Sequence, residues 1–200
     1  MSRLLSDRAE KTDQVVILPV SLEDPSISPP GTFRIGLITI CISIAVFFGS
    51  LVLAYYYRAQ RPPYWDPIRL PETLWLSTGL IIASSVTFET ARRLFRKGKW
   101  RVASRFLIAT ASLGAAFLAS QITAWRELVK QGVYMSGNPH SSFFYIFTVL
   151  HAAHLVGGLV ALFVILLGRS KRRELVDVST YYWHFLGILW LVLFAVLRSR

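Results

Sequence analysis

The sequence has 200 residues, of which 54% are hydrophobic and only 16% are charged, and its mean hydropathy is +0.48. Soluble domains carry about 25% charged residues, so this composition excludes an ordinary soluble domain and indicates that lipid surrounds the chain. The net charge of +11 does not indicate nucleic-acid binding, because Lys and Arg cluster in short segments between long apolar runs, as in the cytoplasmic loops of membrane proteins.

The first 33 residues are predicted to form a disordered or extended cytoplasmic tail. Acidic and basic side chains are mixed there, without the apolar core and cleavage site of a secretory signal peptide. Three prolines between residues 25 and 30 prevent a long helix, because proline lacks the backbone donor. Residues 34–200 are predicted to form one transmembrane domain.

Five apolar segments follow the tail, and each is long enough to cross a membrane as an α-helix, which takes about 20 residues. None has a proline in its middle, so each can satisfy its own backbone hydrogen bonds, as lipid requires. We therefore predict an all-α polytopic membrane protein. It is a bundle of five transmembrane helices at about residues 35–57, 72–91, 104–125, 142–168 and 181–197.

Lys and Arg are distributed unequally between the two ends of this predicted bundle. One end, formed by residues 1–34, 92–105 and 169–173, carries 15 of the 22, and the other end carries 7. Because cytoplasmic segments hold the excess of positive charge, we predict a cytoplasmic N-terminus and a C-terminus outside the cytoplasm.

Small residues form a stripe along the third span. Alanine recurs at every fourth position, and further small side chains lie beside it: Ala111, Ala115, Ala119, Ser112, Ala116 and Ser120. In lipid, such a stripe allows two helix backbones to approach closely. We interpret it as a packing face within the bundle.

The fourth span carries two histidines, His151 and His154, followed by Gly158 on the same helical face. A polar side chain inside a membrane is costly, so a role is expected. Three roles are open: haem ligation, a metal site, or hydrogen bonding to a neighbouring helix, subunit or lipid headgroup. Haem ligation requires an opposing histidine, and only His184 is available, since His140 is predicted to lie in a loop. A zinc site lacks further ligands at the usual spacing.

The other ionisable residues predict no catalytic centre. Glu72 and Glu89 lie toward opposite ends of the second span, and Glu127 and Glu174 lie in loops, so no chain of carboxylates crosses the bilayer. The single Cys41 excludes a disulfide framework and a thiolate cluster. We expect no catalytic residue, no cofactor and no metal in this chain.

Three motifs occur in order on the predicted spans. The first is Leu70-Pro71 followed by Leu76-Ser77-Thr78, Ser84-Ser85, Thr87 and Ala91. The second is Gly132, Tyr134, Ser142-Phe-Phe144, His151, His154 and Gly158. The third is Tyr182-Trp183-His184-Phe185 with Trp190. From about residue 33 to the end, the chain resembles subunit III of the haem–copper respiratory oxidases in its five-span bacterial form.

The resemblance implies a non-catalytic subunit of a cytochrome c or quinol oxidase, in the aerobic respiratory chain of a bacterial inner membrane. In that family the subunit docks on catalytic subunit I in a complex with subunit II. It supports assembly, stability and proton uptake, partly through bound phospholipid, while haem and copper belong to the partner subunits. Candidate subunit or lipid contacts are His151, His154, Gly158, Tyr182, Trp183, His184 and Trp190. Two alternatives are the related accessory protein of nitric oxide reductases and a haem-binding membrane anchor.

The sequence departs from the family pattern mainly at acidic positions. No acidic residue occurs between Ile35 and Leu53, where the family usually has a glutamate in its first matched span. Ala124 stands where the family has a second glutamate, and Gly187 stands where it has an aspartate. Roles that depend on these acids are therefore not expected in this chain.

Overall fold

The structure is a computed structural model that describes residues 32–61, 65, 68–167 and 173–199. Its helices are α1 (Thr32–Ala59), α2 (Thr73–Arg96), α3 (Trp100–Lys130), α4 (Pro139–Leu166) and α5 (Arg173–Arg198). All five are long and apolar enough to cross a membrane, and the described part contains no strand. The predicted all-α, five-span architecture is confirmed. Residues 1–31 of the predicted tail lie outside the described residues, and Thr32 and Phe33 begin α1.

The helices extend beyond the predicted spans, because hydropathy marks only the part of a helix that contacts hydrocarbon. α3 has 31 residues, which corresponds to about 46 Å, against about 30 Å for the hydrocarbon core. α5 begins at Arg173, eight residues before its predicted start, and the added turns bury Val176 and Thr180. Such ends reach the headgroup region, where charged side chains are tolerated.

The turn between α3 and α4 explains Gly132 of the second motif and contains a capping box. Gly132 ends α3 with a φ of +75°, a backbone conformation that strains other residues. At the start of α4, Asn138 accepts a hydrogen bond from the Ser141 backbone N–H at 2.9 Å, and Ser141 Oγ accepts one from the Asn138 N–H at 3.2 Å. Pro139 occupies the first turn, where its missing donor costs nothing. This capping box fixes the beginning of α4.

His140 is the second residue of α4, so its predicted position in a loop is wrong. The side chain is buried and stacks on Trp65, with ring centroids 5.1 Å apart. Its Nδ1 accepts a hydrogen bond from the Ile68 backbone N–H at 2.9 Å. The histidine thus attaches the segment before α2 to the start of α4.

Packing of the helices is uneven. α2 and α3 lie closest together, α5 packs on both α2 and α4, and α4 also packs on α3. α1 lies at the periphery and contacts α4 mainly through large side chains, such as Phe48 on His154 and Tyr55 on Phe147. Most of the α1 surface is exposed to the surroundings of the bundle.

The predicted packing stripe on α3 is only partly buried. Ala111 and Ser120 are buried, but Ala115, Ala116 and Ala119 are exposed, so the interpretation as one packing face within the bundle is wrong. The buried face is rotated and contains larger side chains and one glycine: Leu107, Thr110, Gly114, Phe117, Gln121, Ala124 and Leu128. Lipid is as apolar as the interior of the bundle, so apolar residues alone do not reveal which face of a helix packs against its neighbours.

Candidate functional site

Trp183 lies at the point where four helices meet. Its side chain on α5 is fully buried, and its indole N–H donates to Ser84 Oγ on α2 at 2.9 Å. Phe88 packs edge-on against the ring. A Cβ atom at Gly114 on α3 would lie 2.9 Å from the indole, and one at Gly158 on α4 would lie 3.2 Å from it. Both glycines therefore provide the space that this ring occupies.

Trp190, two turns further along α5, forms a second buried aromatic centre. Its indole N–H donates to Thr78 Oγ1 on α2 at 3.1 Å. The ring of Phe117 meets it edge-on with centroids 5.0 Å apart, and Phe194 lies parallel to it. The imidazole of His151 lies 5.3 Å from it. Trp190 therefore connects α5 with α2, α3 and α4.

His151 is buried in this aromatic centre rather than on a surface of the bundle. Neither ring nitrogen has a hydrogen-bond partner among the described residues. Gln121, on the buried face of α3, is likewise buried and unpartnered within the described part. Sequence reasoning did not single out Gln121 as a polar core residue, although a lone amide within an apolar span was a usable signal.

His154 has different neighbours from His151, although both were predicted on one face. Its Nδ1–H donates to the Leu150 carbonyl oxygen of the preceding turn at 2.7 Å, and its ring contacts Phe48 on α1. The Tyr182 hydroxyl donates to the backbone carbonyl of His154 at 3.3 Å. The two imidazoles thus point toward different helices and do not form one site.

His184 is the only histidine that was expected to oppose the pair, and it faces α2 instead. Its Nε2 lies 3.7 Å from a carboxylate oxygen of Glu89, whereas His151 faces Phe117 and Trp190. This arrangement gives no support to haem ligation between the two helices. Within the described residues, no group of three or more His, Cys, Asp or Glu side chains is arranged to hold a metal ion.

Glu89 is the centre of a charged cluster that the sequence analysis missed. Its carboxylate accepts hydrogen bonds from Arg92 at 2.7 and 2.8 Å and from Arg93 at 2.7 Å. Asp177 on α5 pairs with Arg96 at 2.8 Å and with Arg92 at 3.5 Å. The cluster joins α2 to α5 at one end of the bundle. The sequence could have indicated the pairs within α2, because arginines follow the glutamate by three and four residues on a predicted helix.

Hydroxyl groups of the first motif connect α2 to its neighbours. Ser77 is hydrogen-bonded to Ser120 of α3 at 2.7 Å, and Thr87 to Thr110 at 2.8 Å. Interhelical bonds of this kind stabilise membrane bundles by about 0.6 kcal/mol each on average. Together with the two indole N–H bonds to α2, they make the three motifs parts of one packed interior.

Comparison with known proteins shows which family this chain belongs to. Residues 30–198 match the family described as cytochrome c oxidase subunit III. The match includes all three motifs and all five helices, from Thr32 to Arg198.

Curated relatives agree with that match. A probable cytochrome c oxidase subunit 3 of Nocardia farcinica is 34% identical over 183 residues, which cover 86% of this chain and 90% of the relative. The corresponding protein of Mycobacterium tuberculosis is 30% identical with the same coverage. A cytochrome bo(3) ubiquinol oxidase subunit 3 of Pseudomonas aeruginosa is 28% identical, over 82% of this chain and 81% of the relative.

Proposed function

The chain belongs to the cytochrome c oxidase subunit III family, and we propose that it is a non-catalytic subunit III whose interior is built for packing. It is a multi-pass membrane protein with a subunit III role in a haem–copper respiratory oxidase. The structural part of the proposal is that this chain holds no redox centre and acts by stabilising the oxidase complex.

One observation carries this proposal: the motif residues converge on Trp183 and Trp190. Both indoles are fully buried and bonded to hydroxyls of α2. Gly158 of the second motif and Ser84 of the first meet at Trp183. Residues used in this way specify the shape of a helix bundle. The shape, in turn, presents a surface on which partner subunits assemble.

The partners in this proposal are the catalytic subunit I and subunit II, with haem and copper held there, and phospholipid of a bacterial inner membrane. Membership of an oxidase subunit family supports a complex with other oxidase subunits. The names of the relatives refer to cytochrome c in one case and ubiquinol in another, so both classes of electron donor are compatible with this chain.

In the proposal, support of proton uptake is indirect. Among the described residues, the acids of the membrane helices lie toward helix ends: Glu72 before α2, Glu89 in its final third, Glu127 near the end of α3, and Glu174 and Asp177 near the start of α5. A proton relay needs closely spaced exchangeable groups across the bilayer, and these carboxylates are separated by long apolar stretches. The subunit would therefore act by holding the catalytic subunit and its entry surface in place.

Replacing His151 and His154 together with leucine tests whether these imidazoles take part in chemistry. We expect the assembled oxidase to keep the initial turnover rate of the wild type. The His151 ring has no hydrogen-bond partner among the described residues, and the His154 ring is hydrogen-bonded to the preceding turn of its own helix. Leucine can therefore fill both positions at a small cost in stability. The measurement is the initial rate of oxygen consumption, with the subunit content quantified in the same sample.

A haem or metal ligand would give a different result. The initial rate would fall sharply and the visible absorption spectrum would change while the double variant remained bound. That outcome would overturn the structural role assigned to the two histidines. Tyr182→Phe is a suitable control, because it removes one bond of 3.3 Å to the His154 carbonyl and leaves both imidazoles in place.

The proposal includes an orientation, with the N-terminus in the cytoplasm and the C-terminus outside it. The end of the bundle that carries the α2–α3 turn holds Arg93, Arg96, Lys97 and Lys99, all exposed, and the positive excess supports a cytoplasmic location for it. A periplasmically active reporter fused after Arg200 should be active, and the same reporter fused at Lys97 should be silent. Activity only at Lys97 would reverse the orientation.

A further inference from the structure

Two polar side chains in the interior of the bundle differ from the hydroxyl groups buried there. Each buried serine and threonine hydroxyl has a hydrogen-bond partner within the described part of the chain: Ser77, Thr78, Ser84, Thr110, Ser120, Ser141, Thr148 and Thr180. The amide of Gln121 and both ring nitrogens of His151 have none there. Gln121 is only 1% exposed and His151 is 0% exposed, so lipid headgroups and bulk water do not reach them. Buried polar groups without a protein partner are rare, and an ordered water usually satisfies them.

Contacts between α3 and α4 place these two side chains at the same depth. The ring of Phe117 on α3 contacts the ring of His151, with centroids 5.7 Å apart. Trp125, two turns further along α3, donates a hydrogen bond at 3.0 Å to Thr148 Oγ1, one turn before His151 on α4. Gln121 is buried on α3 midway between Phe117 and Trp125. The contacts on either side of it therefore bring its amide to the level of His151.

The two side chains offer more hydrogen-bonding atoms than one direct bond can satisfy. The Gln121 amide has an oxygen acceptor and an NH₂ donor, and a neutral imidazole has one donor and one acceptor. A direct bond between Gln121 and His151 would use only one atom of each. An internal water forms about three hydrogen bonds, so it can bond to both side chains and to a third group.

The surroundings of the pair favour a neutral ligand over an ion. In the described part of the chain, the buried polar residues are Ser, Thr, Gln and His, and no Asp, Glu, Lys or Arg is among them. An ion between Gln121 and His151 would therefore lack an opposite charge beside it. Burial of an unpaired charge costs far more than burial of a neutral molecule that is hydrogen-bonded.

We propose that Gln121 and His151 hold one internal water molecule between α3 and α4. The water bonds to the Gln121 amide and to a ring nitrogen of His151. The site adjoins Trp190 of α5, whose ring centroid lies 5.3 Å from that of His151. The water thus adds hydrogen bonds to a junction of three helices that is otherwise packed through aromatic rings. Such a site is independent of the partners proposed above.

Solid-state NMR of the full-length chain in lipid bilayers tests this site, with ¹⁵N in the histidine and tryptophan side chains. The chain has four histidines, and loss of one signal in His151→Leu assigns the His151 ring. We expect magnetisation transfer from water protons to the ring N–H of His151. The indole N–H of Trp183 is the matched reference, because it is equally buried but bonded to Ser84 Oγ. It should receive no transfer at the same mixing time.

Substitutions test whether the two side chains share the water. Gln121→Leu removes one side of the site and should abolish the transfer to His151. Gln131→Leu makes the same change at an exposed position just after α3 and should leave the transfer unchanged.

Unfolding by SDS in mixed micelles provides a second measurement. Gln121→Leu and His151→Leu should each lower the SDS fraction at the midpoint slightly, because each leaves the other polar group with an incomplete site. The double variant should lose less than the sum of the two, because no unpaired polar side chain remains.

Three outcomes would overturn the water site. One is a His151 ring N–H that receives no more magnetisation from water than the Trp183 indole does. Another is an equal loss of transfer in Gln121→Leu and Gln131→Leu, which would mean that the water signal does not come from a site at Gln121. The third is strictly additive losses of stability in the double variant, which would show that Gln121 and His151 share no ligand.

Discussion

Replacing Trp183 with alanine is expected to destabilise the subunit by about 3–5 kcal/mol, the range for deleting a fully buried aromatic side chain. The indole fills the space between Gly114 and Gly158 and donates the hydrogen bond to Ser84. Its removal leaves a cavity where four helices meet and deprives the Ser84 hydroxyl of its donor, although that hydroxyl still donates to the Ile81 carbonyl oxygen at 2.8 Å. We expect the variant to unfold at lower SDS fraction in mixed micelles and to be lost from the oxidase during detergent purification.

Trp75 provides the matched control for this experiment. It is a tryptophan of α2 that is 56% exposed and contacts Phe194 and Arg198 of α5, so Trp75→Ala should cost much less stability than Trp183→Ala. Trp183→Phe should lie between the two, because it keeps most of the ring volume and loses the bond to Ser84. Equal stability of Trp183→Ala and Trp75→Ala would contradict the central position of Trp183.

Gly114→Leu is expected to destabilise the subunit by a similar amount, but by overfilling the interior instead of leaving a cavity. The first added carbon would lie 2.9 Å from the Trp183 ring and 3.3 Å from Leu159, closer than van der Waals contact on two sides. Overpacked cores lose typically about 1–3 kcal/mol, and a leucine at this position should reach or exceed the upper end. The readout is again unfolding in mixed micelles, together with retention in the complex.

Gly79→Leu is the control for that substitution. Gly79 is a helical glycine of α2 with open space around it and an exposed position, so leucine there replaces lipid without a clash. Its higher helix propensity should even stabilise α2 slightly. If Gly114→Leu proved as stable as Gly79→Leu, α3 and α5 would not pack through Trp183 as described.

The five helices could be predicted from the sequence because lipid imposes a length and a composition on each of them. Their true ends could not, since the added turns of α5 before residue 181 are amphipathic and lie where hydropathy carries little information. The beginning of α4 could have been predicted from the capping pattern of Asn138-Pro139 followed by Ser141. Hydropathy alone places His140 in a loop.

The packing face of α3 could not be predicted because small and apolar residues occur all around that helix. Ala115 and Ala119 have the spacing of a packing stripe but are exposed, while Gly114 and Gln121 lie in the interior. Helix rotation in a bundle is set by contacts with other helices, and those contacts are not local in sequence. For the same reason, the sequence cannot show that Gly114 and Gly158 lie against Trp183, because the three residues are on different helices.

The resemblance singled out the motif residues, and their roles as subunit or lipid contacts stay predictions. Trp183, Trp190 and His151 are covered within the chain itself. His184 and Tyr182 are partly exposed and can contact neighbours of the bundle. His184 was correctly placed on the last span, yet its partner Glu89 lies 95 residues earlier in the chain and is brought to it only by the packing of α2 on α5.

The most direct test of the central claim is purification of the tagged chain from its native membrane, followed by haem analysis of the complex and of the separated subunit. We expect a complex with a larger haem-containing catalytic subunit, together with a pyridine haemochrome signal that is absent from the separated chain. Recovery of the chain as a stable homo-oligomer free of haem proteins, or with stoichiometric haem of its own, would contradict it.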